Sequence, residues 1–127
     1  MGFFYIGDEA PAEVAHHDDD VVVLVAGGEL DYAASPQIKE HLSSRINVGM
    51  RRLILDLSGT TFIDSTAIGV LAAAAMQLHG LGSGSLAVVC AEENRRVLRI
   101  FEIAGIDSLI TVHRTREEAL AELAVAG

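Results

Sequence analysis

Apolar residues fall in two kinds of pattern along this chain. V-V-V-L-V-A (21–26), L-I-L-D-L (53–57) and S-L-A-V-V-C (85–90) are short, nearly unbroken runs rich in β-branched residues, and they predict buried core strands. Between them the apolar residues return every three or four positions. Ile38, Leu42 and Ile46 do so after Ser35-Pro36, a capping hydroxyl followed by proline at the first helical position. That helix should stop near Gly49, and a start around Tyr32-Ala33 is the alternative. Residues 64–79 predict a second helix, ended by Gly80. E-E-N-R-R-V-L-R-I-F-E-I-A (92–104) predicts an amphipathic helix with acid at its N-terminal end and Gly105 as its stop. S-L-I-T-V (108–112) reads as a short strand, and 115–124 as a last helix that opens with a capping box from Thr115 to Glu118.

At the other end, A-E-V-A-H-H (12–17), three aspartates and the strand at 21–26 predict a hairpin around a solvated turn. Gly27-Gly28 ends the second strand of that hairpin, and S-G-T-T (58–61) reads as a loop. G-L-G-S-G-S (80–85) reads as a flexible connection. Residues 1–11 are set apart as an N-terminal extension, loosely held over 1–10, and residues 12–127 as one domain. Strands alternating with helices of about a dozen residues predict an α/β protein with a mostly parallel sheet, made mixed by the opening hairpin.

The helix at 64–79 carries two stripes. At about 100° per residue, Ala67, Ile68, Leu71, Ala74, Ala75 and Leu78 cluster as a core stripe. Ser65, Gly69, Ala72 and Met76, spaced by four, three and four, form a second stripe, and no residue of the helix after Asp64 is charged. A solvated second face would normally be charged. Either a neighbouring element of the domain covers this one, or another protein does. Gly69 weakens an isolated helix by about 1 kcal/mol relative to alanine, so something should compensate.

The formal charge is −9, with no basic stripe, which excludes nucleic acid and an anionic membrane surface as partners. No apolar run reaches the ~18 residues that a membrane span needs. The N-terminus lacks a basic leader region, and the chain is expected to be cytoplasmic. The single cysteine, Cys90, rules out an internal disulfide and is expected to be buried in its strand.

Chemistry gathers at D-S-T, residues 64–66. Asp64 or Ser65 is placed to cap the helix by accepting from an orphan backbone N–H. The hydroxyl also stands at the top of the uncharged stripe. A phosphate there would bring about −1.5 to −2 charges into an apolar contact, beside an existing carboxylate. The helix N-terminus tolerates such a group in the free protein, but a partner packed on the stripe does not. Ser65 as a catalytic nucleophile fails, because 63–67 reads I-D-S-T-A rather than G-x-S-x-G and His79 stands at the far end of the helix. No cofactor is implied. His16-His17 beside Asp18–Asp20 reads as a polar turn rather than a metal site, since alternating strand faces splay adjacent ligands. Arg95, Arg96 and Arg99 read as a solvated helix face, with contact to a partner as the alternative.

F-I-D-S-T-A-I-G-V-L (62–71) resembles the signature of bacterial anti-sigma factor antagonists, the small STAS-domain proteins. G-E-L-D (28–31) resembles that family's second hallmark, and R-V-L-R-I-F-E-I-A-G-I (96–106) its late amphipathic helix and stop. The three are in register, and the resemblance spans roughly 12–124. It implies a mixed sheet with helices packed mainly on one face. It also implies a mechanism without catalysis by this chain. The unmodified antagonist binds an anti-sigma factor that is also a serine kinase, freeing a sigma factor for transcription, as in stress responses. The kinase uses ATP to phosphorylate the serine after the motif's aspartate, here Ser65, with Thr66 the second choice, and a serine phosphatase reverses the step. By the same matching Asp64 supports the site and Asp31 lies near it as part of the partner surface; the helical projection adds Gly69, Ala72 and Met76 of the stripe to that surface. Where the family pattern has glycine after the serine–threonine pair, this chain has Ala67, on the core side of the projection. The alternative within the same fold is a scaffold subunit of a sensory or lipid-transport complex that does not depend on the serine.

Overall fold

The computed structural model describes the backbone of residues 2–5, 11–16 and 21–126, and the side chains of residues 21–123. Along the chain run β1 (Gly2–Tyr5), β2 (Pro11–His16), β3 (Val21–Leu30), α1 (Ser35–Asn47), β4 (Arg52–Ile63), α2 (Ser65–Gly80), β5 (Ser85–Val89), α3 (Arg95–Ala104), β6 (Ile110–His113) and α4 (Arg116–Ala126). All described strands form one sheet in the order β1-β2-β3-β4-β5-β6. The pairs β1–β2 and β2–β3 are antiparallel; β3–β4, β4–β5 and β5–β6 are parallel. The hairpin and the mixed, mostly parallel sheet match the expectation, while the aspartate turn lies outside the described residues. The segment expected to be a loose extension instead contains an edge strand, β1, because G-F-F-Y supplies strand-favouring aromatics opposite β2.

Period-two alternation assigns the sheet's faces. Val22, Leu24, Leu53, Leu55, Leu86 and Val88 point to a core shared with α1, α2 and α3. Val21, Val23, Ile54, Ala87 and Val89 point the other way, to a smaller core closed by Ala119 and Leu123 of α4. Strands buried on both faces read as unbroken apolar runs, which is why they were visible in the sequence. Parallel strands laid down in one direction with right-handed crossovers send every connecting helix to the same face. Hence α1, α2 and α3 share one layer, while α4, which follows the edge strand β6, packs on the other face.

Four local expectations are corrected. Gly27-Gly28 does not end β3, and Ser58–Thr61 is not a loop: both belong to the ladder, which runs on to Leu30 paired with Ile63. Two register shifts, between Val25 and Gly27 and between Gly28 and Glu29, absorb two extra residues of β4. Gly28 takes a positive φ of 77° there, and the buried Thr60 hydroxyl donates to the Ala26 carbonyl at 3.1 Å. Second, Ser35 does not cap α1. Its hydroxyl donates back to the Asp31 carbonyl at 3.0 Å, and the Asp31 carboxylate accepts the N–H groups of Ala33 and Ala34, both at 3.1 Å. Third, α3 begins at Arg95 with Asn94 as its cap, so Glu92 and Glu93 lie in the turn before it. Fourth, the connection at 80–85 contains a close approach: a Cβ on Gly84 would stand 2.8 Å from the Leu78 carbonyl oxygen. Gly105 does end α3 in the left-handed conformation, and the Thr115 hydroxyl accepts the Glu118 N–H at 3.1 Å. Glu118 answers to the N–H of Arg114 rather than to that of Thr115.

Candidate partner-binding site at the start of the second helix

The parallel strands β3 and β4 end side by side, and each is followed at once by an aspartate, Asp31 and Asp64. In open α/β sheets this carboxyl end of the strands is where ligands and partners are met. Both aspartates organise backbone. Asp31 holds the turn into α1, as above. Asp64, in extended conformation, is the N-cap of α2, and its Oδ1 accepts the Ala67 N–H at 2.9 Å. The cap is therefore the aspartate and not the serine, which leaves the Ser65 hydroxyl with no capping duty.

Ser65 is the first residue of α2 and is exposed, as is Thr66. The buried residues of α2 are Ala67, Ile68, Leu71, Ala74, Ala75 and Leu78, the projected core stripe residue for residue. Ala67 is fully buried, so the position where the family pattern has glycine accommodates a methyl group inside the core. On the second stripe Ser65, Gly69 and Met76 are exposed, Met76 by 60%, and Ala72 is half-buried. Among the described residues no element covers that face. Gly69 has helical backbone, and a Cβ added to it would meet nothing within 4 Å. Packing inside this domain therefore gives no reason for the glycine.

The sequence reading missed three surface residues of this end. Ala73 is exposed beside Gly69, and Tyr32 and Phe62, which neighbour Asp31 and Asp64 along the chain, are 73% and 37% exposed. The signal for Ala73 was there in the four-residue spacing from Gly69. For Tyr32 none was, because aromatic residues are more often core than surface.

The other candidate chemistry does not assemble. His79 lies at the C-terminal turn of α2, about 20 Å from Ser65 along the axis at 1.5 Å per residue. Among the described residues no group of His, Cys, Asp and Glu is arranged to hold a metal ion, and His17–Asp20 lie outside them. Among the described residues no helix is long and apolar enough to cross a membrane. Cys90 is buried, and burial pushes its thiol pKa up. Of the α3 arginines, Arg95 is exposed and pairs with Glu92, while Arg96 and Arg99 are exposed.

Comparison with known proteins covers the span that holds these residues. The STAS domain model matches residues 12–119. BtrV of Bordetella bronchiseptica, a candidate anti-sigma factor antagonist, is 32% identical over 85% of this chain and 90% of its own. An anti-sigma factor antagonist from Mycobacterium paratuberculosis superposes with a TM-score of 0.79 at 24% identity, over 89% of this chain and 92% of that one. SpoIIAA, an anti-sigma factor antagonist, superposes in its unphosphorylated form with a TM-score of 0.71 at 23% identity, over 90% of this chain and 96% of that one. In its phosphorylated form, described as a Bacillus cell fate determinant, the TM-score is 0.64 at 22% identity, over 88% and 98%. With its fold and these matches over most of its length, the chain belongs to the STAS-domain family of anti-sigma factor antagonists.

Proposed function

We propose that this protein is a non-catalytic regulator that binds a kinase-type anti-sigma factor through the exposed face of α2, and that phosphorylation of Ser65 by that kinase releases it. A serine phosphatase would return it to the binding form. The observation that carries the reading is the position of Ser65: an exposed hydroxyl, free of the capping role, at the head of an uncharged helix face that the described residues leave uncovered.

The physics fits a switch of binding rather than of fold. The first N–H groups of a helix lack intrahelical acceptors, so they receive a phosphate without rearrangement. On the partner side the same group places about −1.5 to −2 charges beside Asp64, where an apolar contact has nothing to match it. That SpoIIAA, of the same fold, exists in phosphorylated and unphosphorylated forms supports the reading.

The test is to incubate the protein with ATP and each kinase-type anti-sigma factor of its genome, locate phosphate by mass spectrometry, and titrate the kinase that acts. Phosphate on Ser65, tight binding by Ser65→Ala and binding weaker by about tenfold or more in Ser65→Asp are expected. Equal affinity of the two variants would refute the charge switch. Absence of phosphate with every kinase would favour a scaffold role instead.

A further inference from the structure

Between α1 and α2 runs an open valley of about 290 Å³. Leu42, Val70 and Ala74 form its base, and Gly69 and Ala73 its wall on the α2 side. Gly69 and Ala73 are four residues apart, so they lie one above the other on the helix and leave a shallow row. Among the described residues the valley has a single charged lining residue, Lys39, which is also the chain's only lysine, in a protein of formal charge −9. Lys39, Thr66, Ala73 and Gln77 are exposed along its mouth.

We propose that this valley seats a helix of the protein partner, which inserts an apolar side chain beside Gly69 and Ala73 and pairs a carboxylate with Lys39. The proposal rests on the reading that the outer face of α2 docks a protein, and it extends that interface across to α1. Three features select the occupant. The base is uncharged and lined by aliphatic groups, so the inserted group is apolar. The rim's charge is positive while the protein as a whole repels acids, so a carboxylate is matched here, and the pair fixes the partner's register. The space lies just below the ~300–1,000 Å³ of small-molecule pockets and is open along two helices. That shape fits the ridge of a third helix better than it encloses a free ligand.

The partner used for the test is the kinase-type anti-sigma factor that phosphorylates Ser65, titrated calorimetrically against wild type, Ala73→Leu, Lys39→Glu, Lys39→Arg and Ser65→Asp. Each substituted residue is exposed, so thermal melts should coincide with wild type. The expected result is binding weakened about tenfold or more by Ala73→Leu, several-fold by Lys39→Glu, and unchanged by Lys39→Arg. If Ser65→Asp weakens binding while Ala73→Leu and Lys39→Glu bind as wild type, the valley is empty in the complex and this proposal falls, with the function intact. If no such kinase distinguishes Ser65→Asp from wild type, the functional reading itself falls, and the valley with it. A concentration-dependent dimer abolished by Ala73→Leu would assign the valley to a second copy and overturn the proposal.

Discussion

The backbone N–H of Asp64 donates to the carbonyl oxygen of Leu30 across 3.2 Å. The bond follows directly on the last register pair of the parallel ladder, Leu30 with Ile63. It holds the cap of α2 against the strand end from which Asp31 departs. Both carboxylates are bonded to backbone N–H groups, Asp31 to those of Ala33 and Ala34 and Asp64 to that of Ala67. A negative group added at Ser65 meets the charge of Asp64, its neighbour in the chain, which the cap bond keeps from swinging away, so the cost falls on whatever docks there.

Removing the Asp64 side chain tests that arrangement. Asp64→Ala deprives the Ala67 N–H of its acceptor and should destabilise the protein by about 1 kcal/mol, within the ~0.5–2 kcal/mol range of cap deletions. Asp64→Asn keeps an acceptor oxygen and should lie close to wild type. Urea unfolding of the two variants, with unchanged m-values, checks the difference.

Gly69→Ala should act with opposite signs on stability and on binding. A methyl there meets nothing within 4 Å, and the helix gains by losing a glycine. The free protein should therefore be more stable by up to about 1 kcal/mol. If a partner approaches α2 closely at this point, the same methyl should lower affinity for it. A thermal melt and a binding titration on one preparation give both signs, and a variant stabilised with unchanged affinity would remove Gly69 from the interface.

How far the sequence carries depends on the range of the forces involved. The buried set of α2 follows from a period of 3.6 and the direction of the core, both local properties, and it was legible to the residue. Gly105 and Thr115 were legible for the same reason. The continuation of β3 and β4 through Gly27-Gly28 and Ser58–Thr61 was not, because glycine, serine and threonine favour turns locally while each strand here is held by the other through two bulges and the Thr60 hydroxyl. Ser35-Pro36 likewise reads as a cap until Asp31, four residues earlier, is seen to take the N–H groups. The valley beside Lys39 depends on how α1 and α2 sit against each other, which no single-helix pattern records.

On the opposite face of the sheet, Asp56 is 5% exposed and lies on the side covered by α4. Arg116 donates to its Oδ2 twice, from Nε at 3.2 Å and from Nη2 at 2.7 Å, while Ser58 donates to Oδ1. Arg116→Met leaves a buried carboxylate with its Ser58 partners alone and should cost about 1–3 kcal/mol, the range for an under-satisfied buried polar group. The partly exposed arginine argues against the larger losses of fully enclosed pairs. Asp56→Asn keeps an acceptor for Ser58 and allows Arg116 to turn toward solvent, so it should cost less. Denaturant midpoints of the two variants rank them, and the reverse order would mean that the carboxylate, not its arginine, holds α4.

Cys90 gives a prediction in pH. Burial raises its thiol pKa above the ordinary value, with the nearby Arg114 opposing and Asp56 adding to the rise. The folded state thus keeps the thiol proton to higher pH than the unfolded state does. Below the unfolded pKa both states hold the proton, and the contribution to stability is fully present. As pH rises past 9.0, the ordinary value, the unfolded chain releases its proton first and stability falls, levelling only beyond the folded pKa. Unfolding free energies measured from pH 7 to pH 10.5 should therefore decline more steeply for wild type than for Cys90→Ala, whatever the offset between them at neutral pH. The same burial should leave the native thiol slow toward an alkylating reagent, with reaction becoming fast only in denaturant. Parallel pH slopes together with rapid native alkylation would mean that Cys90 is open to solvent and free to sense oxidants.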